Sequence, residues 1–315
     1  MSTISTPNTK GLHDLGDGLY AYLQPDGSWG WSNAGLVVDG DHSLLVDTLF
    51  DLHLTREMLR TMADAAPAAK HIDILFNTHA NGDHWYGNEA VPTQRLVATR
   101  AAAEEMARLP AATMLELERS LPGNAGAFMR RVFAPFHFEG VGAAYPTEQF
   151  ESTLTLEVGD REVQLRDLGP AHTGSDSIVW VPSTRTVFTG DLLFVGAHPI
   201  MWTGPIENWM AALEHLLALD AEAYVPGHGP LTDKRGIQEI LDYLRYVREE
   251  AIQGQAAGRD PLQVARGLNL APWMGWGESE RLAVTVANVY LAIDPERPMP
   301  SMEACWALMA EMARQ

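Results

Sequence analysis

The chain has 315 residues, 46% hydrophobic and 20% charged, enough to bury a sizeable core in one large α/β domain or two small ones. Its formal net charge is -19 with lysine only at Lys10, Lys70 and Lys234, and so acidic a surface repels phosphate backbones and anionic membranes, so nucleic acid is not expected as a partner. A single cysteine, Cys305, excludes an internal disulfide and suits a reducing compartment.

In chain order, Met1 to Lys10 are polar and lack the apolar core of a signal peptide. No apolar run approaches the roughly 18 residues of a membrane span, so a cytoplasmic protein is expected. Gly18 to Leu23, Trp29 to Val38 and Ser43 to Asp47 read as strands, separated by the turn signals Pro25-Asp26-Gly27 and Asp39-Gly40-Asp41. The spacing of Leu54, Met58, Leu59 and Met62 predicts a helix over 54–65, and the short run 72–76 predicts a buried strand. A strand at 95–98 and a helix at 101–109 follow. Residues 110–150 carry Pro110, Leu121-Pro122-Gly123 and the aromatic group Phe128, Phe133, Phe136 and Phe138. They read as a helical insertion, either packing on itself or serving as a lid whose aromatic residues line a substrate pocket.

Strands return at 154–158, 162–167, 178–181 and 186–189, with Gly, Pro or Asp at each joint, then a helix at 206–219 and a short strand at 223–225. The remainder is helical. Ile237, Ile240, Leu241, Leu244 and Val247 mark one face, Asp260-Pro261 starts another helix, and 282–293 gives a third. Ser301 caps a last helix whose apolar face is Met302, Cys305, Trp306, Met309 and Met312, a core face with a homodimer contact as its alternative. This order suggests an α/β fold of two β-rich halves with helices outside, a four-layer αββα sandwich, plus a helical C-terminal extension. Periodicity alone does not separate that sandwich from a doubly wound sheet.

The densest chemistry lies at the end of the strand 72–76, in Asn77-Thr78-His79-Ala80-Asn81-Gly82-Asp83-His84-Trp85-Tyr86-Gly87-Asn88. Two imidazoles, a carboxylate and a carboxamide within six residues are hard to explain by packing. Three other strand ends carry ligand-type residues: His172 in Gly169-Pro170-Ala171-His172-Thr173-Gly174, Asp191 after Thr189-Gly190, and His228 between glycines in Pro226-Gly227-His228-Gly229-Pro230. Asp47 is expected to fix a loop by hydrogen bonding. His13, His42, His53, His71, His137 and His215 sit in surface-like or helical contexts.

With these residues in place, the chain resembles the metallo-β-lactamase-fold hydrolase superfamily. Its first motif, His-x-His-x-Asp-His at a strand end, is followed by a lone His, a lone Asp and a final His, each also at a strand end. His79, Asp83, His84, His172, Asp191 and His228 fall on those positions in order, and the strand-helix layout extends the match over about residues 15–250. The resemblance implies a metallo-β-lactamase-like domain over 1–235, with 110–150 inserted, and a helical extension over 236–315 packed on it. It also implies two adjacent metal sites. One would use His79, the residue at 81 and His172; the other would use Asp83, His84 and His228, with Asp191 bridging. Such donors suit zinc at about 2.0–2.2 Å, and iron and manganese accept them too. The departure is Asn81, where the family has His: a carboxamide oxygen is a weaker donor, so the second set is expected to be the tighter site and the protein to hold one or two ions.

The expected chemistry is attack on an activated carbonyl by water made acidic by the metal, with Asp83 orienting the water and shuttling its proton. No Gly-x-Ser-x-Gly elbow appears, and Cys305 lies in the helical tail, so a covalent nucleophile is not supported. Trp29, Trp31, Trp85, Tyr86, Phe194 and Trp202 lie on or beside segments expected near the metals, and His198 follows Asp191 on a loop able to reach them. They point to a hydrophobic or aromatic small-molecule substrate. Lysine is absent from these segments, so a phosphodiester or strongly anionic substrate is less expected. Trp31-Ser32-Asn33-Ala34-Gly35-Leu36-Val37-Val38, Gly169-Pro170-Ala171-His172-Thr173 and Gly227-His228-Gly229-Pro230 are also similar to the cyclase/thioesterases of aromatic polyketide pathways. The leading expectation is a metallohydrolase of esters, thioesters or lactones. Its alternatives are a polyketide-type cyclase and a non-catalytic metal-binding protein.

Overall fold

The computed structural model describes residues 9–24, 26–294 and 296–314; Pro25 of the first turn signal and the segment 1–8 lie outside the described residues. Seven strands form one sheet in chain order: β1 (Gly11–Gly16), β2 (Leu19–Leu23), β3 (Ala34–Asp39), β4 (His42–Val46), β5 (Ile74–Phe76), β6 (Arg95–Thr99) and β7 (Glu148–Phe150). The first four pair antiparallel, and β4 to β7 pair parallel. The parallel half needs crossovers. They are α1 (Leu52–Ala65) before β5, and α2 (Arg100–Arg108), α3 (Ala111–Ser120) and α4 (Gly123–Phe133) before β7.

The second sheet is β8 (Thr153–Val158), β9 (Arg161–Asp167), β10 (Ser177–Val181), β11 (Thr186–Phe188) and β12 (Ala223–Val225), antiparallel except for β11 with β12, which α5 (Ile206–Ala218) connects. α6 (Lys234–Ala256), α7 (Pro261–Gly267), α8 (Leu282–Ile293) and α9 (Met302–Met312) complete the chain.

Three hydrophobic layers account for the stacking. Between the sheets, Leu19, Val37, Leu44 and Phe76 of the first meet Val163, Leu165, Val179 and Phe188 of the second. Alternation along the strands puts Leu36, Leu45, Leu75 and Leu96 on the opposite face, against α1, α2, α4 and α9. The outer face of the second sheet, with Ile178, Trp180, Val187 and Tyr224, packs under α5, α6, α7 and α8. The result is the four-layer αββα sandwich with C-terminal helices. Each fully buried aliphatic side chain contributes about 1.5–3 kcal/mol. Local signals agree with the global arrangement. Asp51 caps α1 by accepting from Leu54 N, with Leu54, Met58 and Met62 buried, Asp260 and Gln263 form a capping box on α7, and Ser301 caps α9. Among the described residues no helix is long and apolar enough to cross a membrane.

Some elements differ from the sequence reading. Strand β3 begins at Ala34, so Trp29 to Asn33 are not strand. Gly30 has φ of +74°, and the Asn33 side chain bonds outside the sheet, so the chain leaves the ladder there and passes across the sheet end. Strands β1 and β7 were not expected, because both are partly exposed and their sequences, Gly-Leu-His-Asp-Leu-Gly and Glu-Gln-Phe, lack a strong apolar run. The insertion does not pack only on itself: α4 lies against α9, with Phe128 and Phe133 on the Trp306 ring at 5.9 and 5.3 Å between centroids.

Candidate metal centre

Strand direction gathers the ligand-type residues. Strands β9 and β11 are both antiparallel to β10, and β12 is parallel to β11, so all three end at the same edge of the second sheet. His172, Asp191 and His228 follow those ends, and His79 to His84 follow the end of β5. Asn33 ties the two edges together. Its backbone N donates to Gly227 O at 2.7 Å, its Nδ2 donates to Pro226 O at 2.9 Å and Gly229 O at 2.8 Å, and its Oδ1 accepts from Gln24 N at 2.8 Å. The approach is close enough to require glycine. A Cβ on Gly227 would overlap Asp191 Oδ1 and stand 2.7 Å from the Gly190 carbonyl carbon.

Asp191 is the hub. Its carboxylate lies 3.1 Å from His84 Nε2, 3.3 Å from His172 Nε2, 3.4 Å from His228 Nε2 and 3.7 Å from His79 Nε2. Asp83 Oδ2 is 3.3 Å from His228 Nε2. The opposite nitrogen of every ring faces an oxygen: His79 Nδ1 faces Thr78 Oγ1 at 2.9 Å, His84 Nδ1 faces Asp47 Oδ2 at 3.0 Å, His172 Nδ1 faces Ile200 O at 2.6 Å, and His228 Nδ1 faces Trp31 O at 3.2 Å. Thr78 Oγ1 itself donates to Asp47 Oδ2 at 2.8 Å and so accepts from His79. These acceptors fix a proton on each Nδ1 and turn all four Nε2 atoms inward.

Buried polar atoms are normally satisfied. Here His79 Nε2, His84 Nε2 and Asp191 Oδ1 are buried without a hydrogen-bond partner, although the last two lie 3.1 Å apart, because they are not aligned to share a proton. Buried side by side without a partner, they are atoms that one cation could satisfy. The groups His79–His84–Asp191 and Asp83–His84–His228 each bring one ligand atom per residue to within 4.8 Å of one another. This grouping uses His84 twice and leaves His172 outside, unlike the partition implied by the resemblance. The donor chemistry and the orphaned atoms fit a divalent ion.

Electrostatics agree. Burial opposes charging His84 and His228, but the carboxylates of Asp191, Asp47 and Asp83 outweigh it and hold both above the ordinary imidazole pKa. Burial, with the neighbouring imidazoles, holds His79 and His172 below it. Burial pushes the Asp83 carboxyl up, and the His228 hydrogen bond and the charge of His84 outweigh that, so Asp83 stays ionised. A divalent cation held among these carboxylates would supply, in place of those protons, the positive charge that the carboxylates favour on the two imidazoles.

Asn81 is near the cluster but oriented differently from a metal donor. Its Nδ2 lies 3.0 Å from His172 Nε2, so the amide donates to that lone pair. Asp47 is a buried brace: it accepts from Thr78 N at 2.7 Å, from Thr78 Oγ1 and from His84 Nδ1.

A cavity partly open to solvent has Asn81, Asp83, His172, Asp191 and His228 at its floor. Of the aromatic residues singled out in the sequence, Trp29, Tyr86, Phe194 and Trp202 line it. Trp31, Trp85 and His198 do not. Trp31 contributes its carbonyl to His228, Trp85 Nε1 donates to Ala80 O at 2.9 Å, and His198 faces the Tyr243 hydroxyl at 2.9 Å. None of His13, His42, His53, His71, His137 and His215 lines it. The sequence reading missed Glu105, Arg281, Met302 and Trp306, which complete the walls. Glu105 comes from α2, soon after the first motif, and the other three from the C-terminal helical segment; the signal for Arg281 was a charged residue opening the apolar stretch 282–293.

The metallo-beta-lactamase superfamily profile matches residues 27–228. The chain is 23% identical over 201 residues to the 2,4-dinitroanisole O-demethylase subunit alpha of Nocardioides sp., covering 61% of this chain and 51% of that one. It is 22% identical over 157 residues to the linear primary-alkylsulfatase of a Pseudomonas sp., covering 46% and 29%. The chain thus spans about half, or less, of the length of these relatives. Among solved structures, the stereoselective inverting sec-alkylsulfatase Pisa1 from Pseudomonas sp. superposes with a TM-score of 0.66 at 15% identity, over 92% of this chain and 52% of that one, a likeness of fold.

Proposed function

The chain belongs to the metallo-beta-lactamase superfamily, and from that premise we propose that it is a metal-dependent hydrolase of an ester, thioester or lactone of a hydrophobic or aromatic small molecule. The observation that carries the proposal is the convergence of four inward-facing Nε2 atoms on Asp191 at the floor of an aromatic-walled cavity. His79, His84, His172, His228, Asp83 and Asp191 would hold the ion, and zinc is the ion that this donor set supports best. The Asn81–His172 hydrogen bond supports tighter binding at Asp83, His84 and His228 with Asp191 than beside His172. When bound, the ion would acidify a water and polarise a substrate oxygen.

The chain's own residues supply the rest. Asp83, ionised and facing the cavity, is the group able to orient a water, take its proton at Oδ1 or Oδ2 and pass it to the leaving group. Trp29, Trp202, Phe133 and Trp306 exclude bulk water and hold an apolar body against the floor. We also propose that residues 1–235 form the catalytic unit, with 110–150 and 236–315 shaping its cavity.

The test is an activity panel of esters, thioesters, lactones and β-lactams on metal-replete protein, with metal content measured on the same sample. Hydrolysis that disappears on chelation and in Asp83→Asn supports the proposal; metal-loaded protein inert across the panel overturns it. The names of the alkylsulfatase and O-demethylase relatives favour a second reading, in which the bond cleaved is that of a sulfate ester or aryl ether. Adding both substrate types to the panel separates the two. A cyclised product from a poly-β-ketone thioester would instead support a polyketide-type cyclase.

A further inference from the structure

We propose that Arg281 is a receptor for a substrate oxyanion, so that this cavity takes amphiphilic monoanions: an apolar chain or ring carrying one carboxylate or sulfate-type group. Among the described residues Arg281 is the only arginine or lysine lining the cavity. It is also 2% exposed. A guanidinium is rarely buried without an ionic partner, because its desolvation is strongly unfavourable. Yet none of the carboxylates among the described residues forms a direct ion pair with it; Glu278, Glu280, Asp191 and Asp83 favour its charge only from farther off. Its Nη1 donates to His198 O at a long 3.3 Å, and its Nε is buried with no hydrogen-bond partner at all. The adjacent carboxylate is committed elsewhere: Glu280 Oε1 accepts from Trp29 Nε1 at 2.8 Å.

The setting aims the cation at the reaction floor. Its guanidinium carbon sits 4.5 Å over the Trp29 ring and 5.5 Å over the Phe194 ring. Phe194 in turn stacks on His228, with centroids 5.0 Å apart and planes 3° from parallel. The unpaired donor therefore lies one ring away from a ligand of the proposed metal centre, and Trp29, Trp306 and Met302 supply apolar wall in the same cavity. Guanidinium donors in a fixed fork match planar oxyanions, and stacking on aromatic faces fixes the fork before the ligand arrives. Absence of lysine from the ligand segments is thus a poor guide to substrate charge, because the cation comes from the helical extension. The rival account is that Arg281 only braces the His198 loop.

The word substrate rests on the proposed hydrolytic function, but anion binding does not. Binding of decanoate, decyl sulfate and decanol to the full-length, metal-loaded protein is measured by calorimetry and by Trp fluorescence, to which the cavity residues Trp29, Trp202 and Trp306 contribute. Wild type is expected to bind both anions at least about tenfold tighter than decanol, a preference that R281Q loses and R281K partly keeps, since lysine retains the charge without the fork. Decanoate favoured over decyl sulfate, or the reverse, identifies the oxyanion. An unchanged preference in folded R281Q, with only the melting temperature lowered, overturns the proposal in favour of the brace. Should R281Q not fold, wild type after chelation decides: a persisting anion preference supports Arg281, and its loss assigns the anion to the metal and overturns the proposal. Anion selectivity lost in R281Q from a protein that hydrolyses nothing would sink the hydrolase reading alone. Hydrolysis of neutral esters with no anion selectivity would sink this one alone.

Discussion

Replacement of Asp47 by Asn tests whether hydrogen bonds behind the ligands hold the metal centre in register. Asp47 is buried at the end of β4 with φ of +62°. Asn tolerates that left-handed conformation as well as Asp does, so the backbone is not perturbed. Asp47 Oδ1 accepts from Thr78 N, and Oδ2 accepts from both Thr78 Oγ1 and His84 Nδ1. In the variant the Thr78 N–H keeps a carbonyl oxygen, and NH2 replaces Oδ2. The Thr78 hydroxyl can rotate and accept from it. His84 cannot: its Nδ1–H would face another donor, so the ring must move its proton to Nε2 or turn away, and either removes that lone pair from the centre. Losing one hydrogen bond to a charged group is worth about 1.5–3 kcal/mol. That matches the roughly 10–100-fold loss of metal affinity typical when a ligand's supporting partner is removed. Competition against a chromophoric chelator measures the affinity, and circular dichroism checks the fold. A folded D47N protein that binds zinc within about threefold of wild type would refute the argument, since about 1.4 kcal/mol corresponds to tenfold.

Asn81→His should raise metal stoichiometry toward two ions by releasing the His172 lone pair and adding an imidazole, and inductively coupled plasma analysis giving an unchanged ratio would count against the role assigned to Asn81. Gly227→Ala should abolish metal binding and destabilise the fold by at least the roughly 1–3 kcal/mol of ordinary overpacking, because its Cβ would displace the Asp191 carboxylate and the Gly190 backbone; a denaturant titration and the same chelator competition test this. Burial, and then the charge of Arg281, pushes the His198 pKa down from 6.5 to about 4. The unfolded chain therefore takes up a proton that the folded chain refuses, so this contribution is complete above about pH 6.5 and is lost as pH falls toward about 4, a change of about 3 kcal/mol. His198→Gln should flatten that part of the stability profile, and urea melts across the window with slopes equal to wild type would show that His198 is not its source.

The residues that gather around Asp191 were legible because metal chemistry restricts residue types and because each of them follows a strand end marked by glycine or a turn residue. The two-sheet architecture followed from apolar runs of the right length, as at Ile178 to Val181, where every position is buried. Strands β1 and β7 were hidden because partly exposed strands carry little hydrophobic signal, and their pairing is set by neighbours distant in sequence. Trp29 to Asn33 looked like strand because its aromatic and apolar residues serve the cavity wall and the inter-sheet tie instead of a ladder. Local sequence carried no trace of the Asn33 bonds to Pro226 and Gly229, which join positions nearly two hundred residues apart. The acceptors that fix the imidazole tautomers were equally invisible where they are backbone carbonyls, Ile200 O and Trp31 O, since any residue offers one. Arg281 escaped notice because a single arginine ahead of an apolar helix reads as a solvated end. Only its burial and its missing partner distinguish it.

The cavity walls and its floor are encoded on separate stretches of chain. The floor comes from loops after strands, anchored in both sheets, whereas much of the wall comes from Met114 and Phe133 of α3 and α4, Arg281 ahead of α8, and Met302 and Trp306 of α9. Substitutions in these helical segments leave the floor loops untouched, so selection can retune which molecules are accepted without disturbing the gathered imidazoles and carboxylates. The two helical segments also brace each other through Trp306 and Phe133, so a change of specificity on one is constrained to be answered on the other. Paired substitution across α4 and α9 is therefore the natural unit for redesigning this pocket.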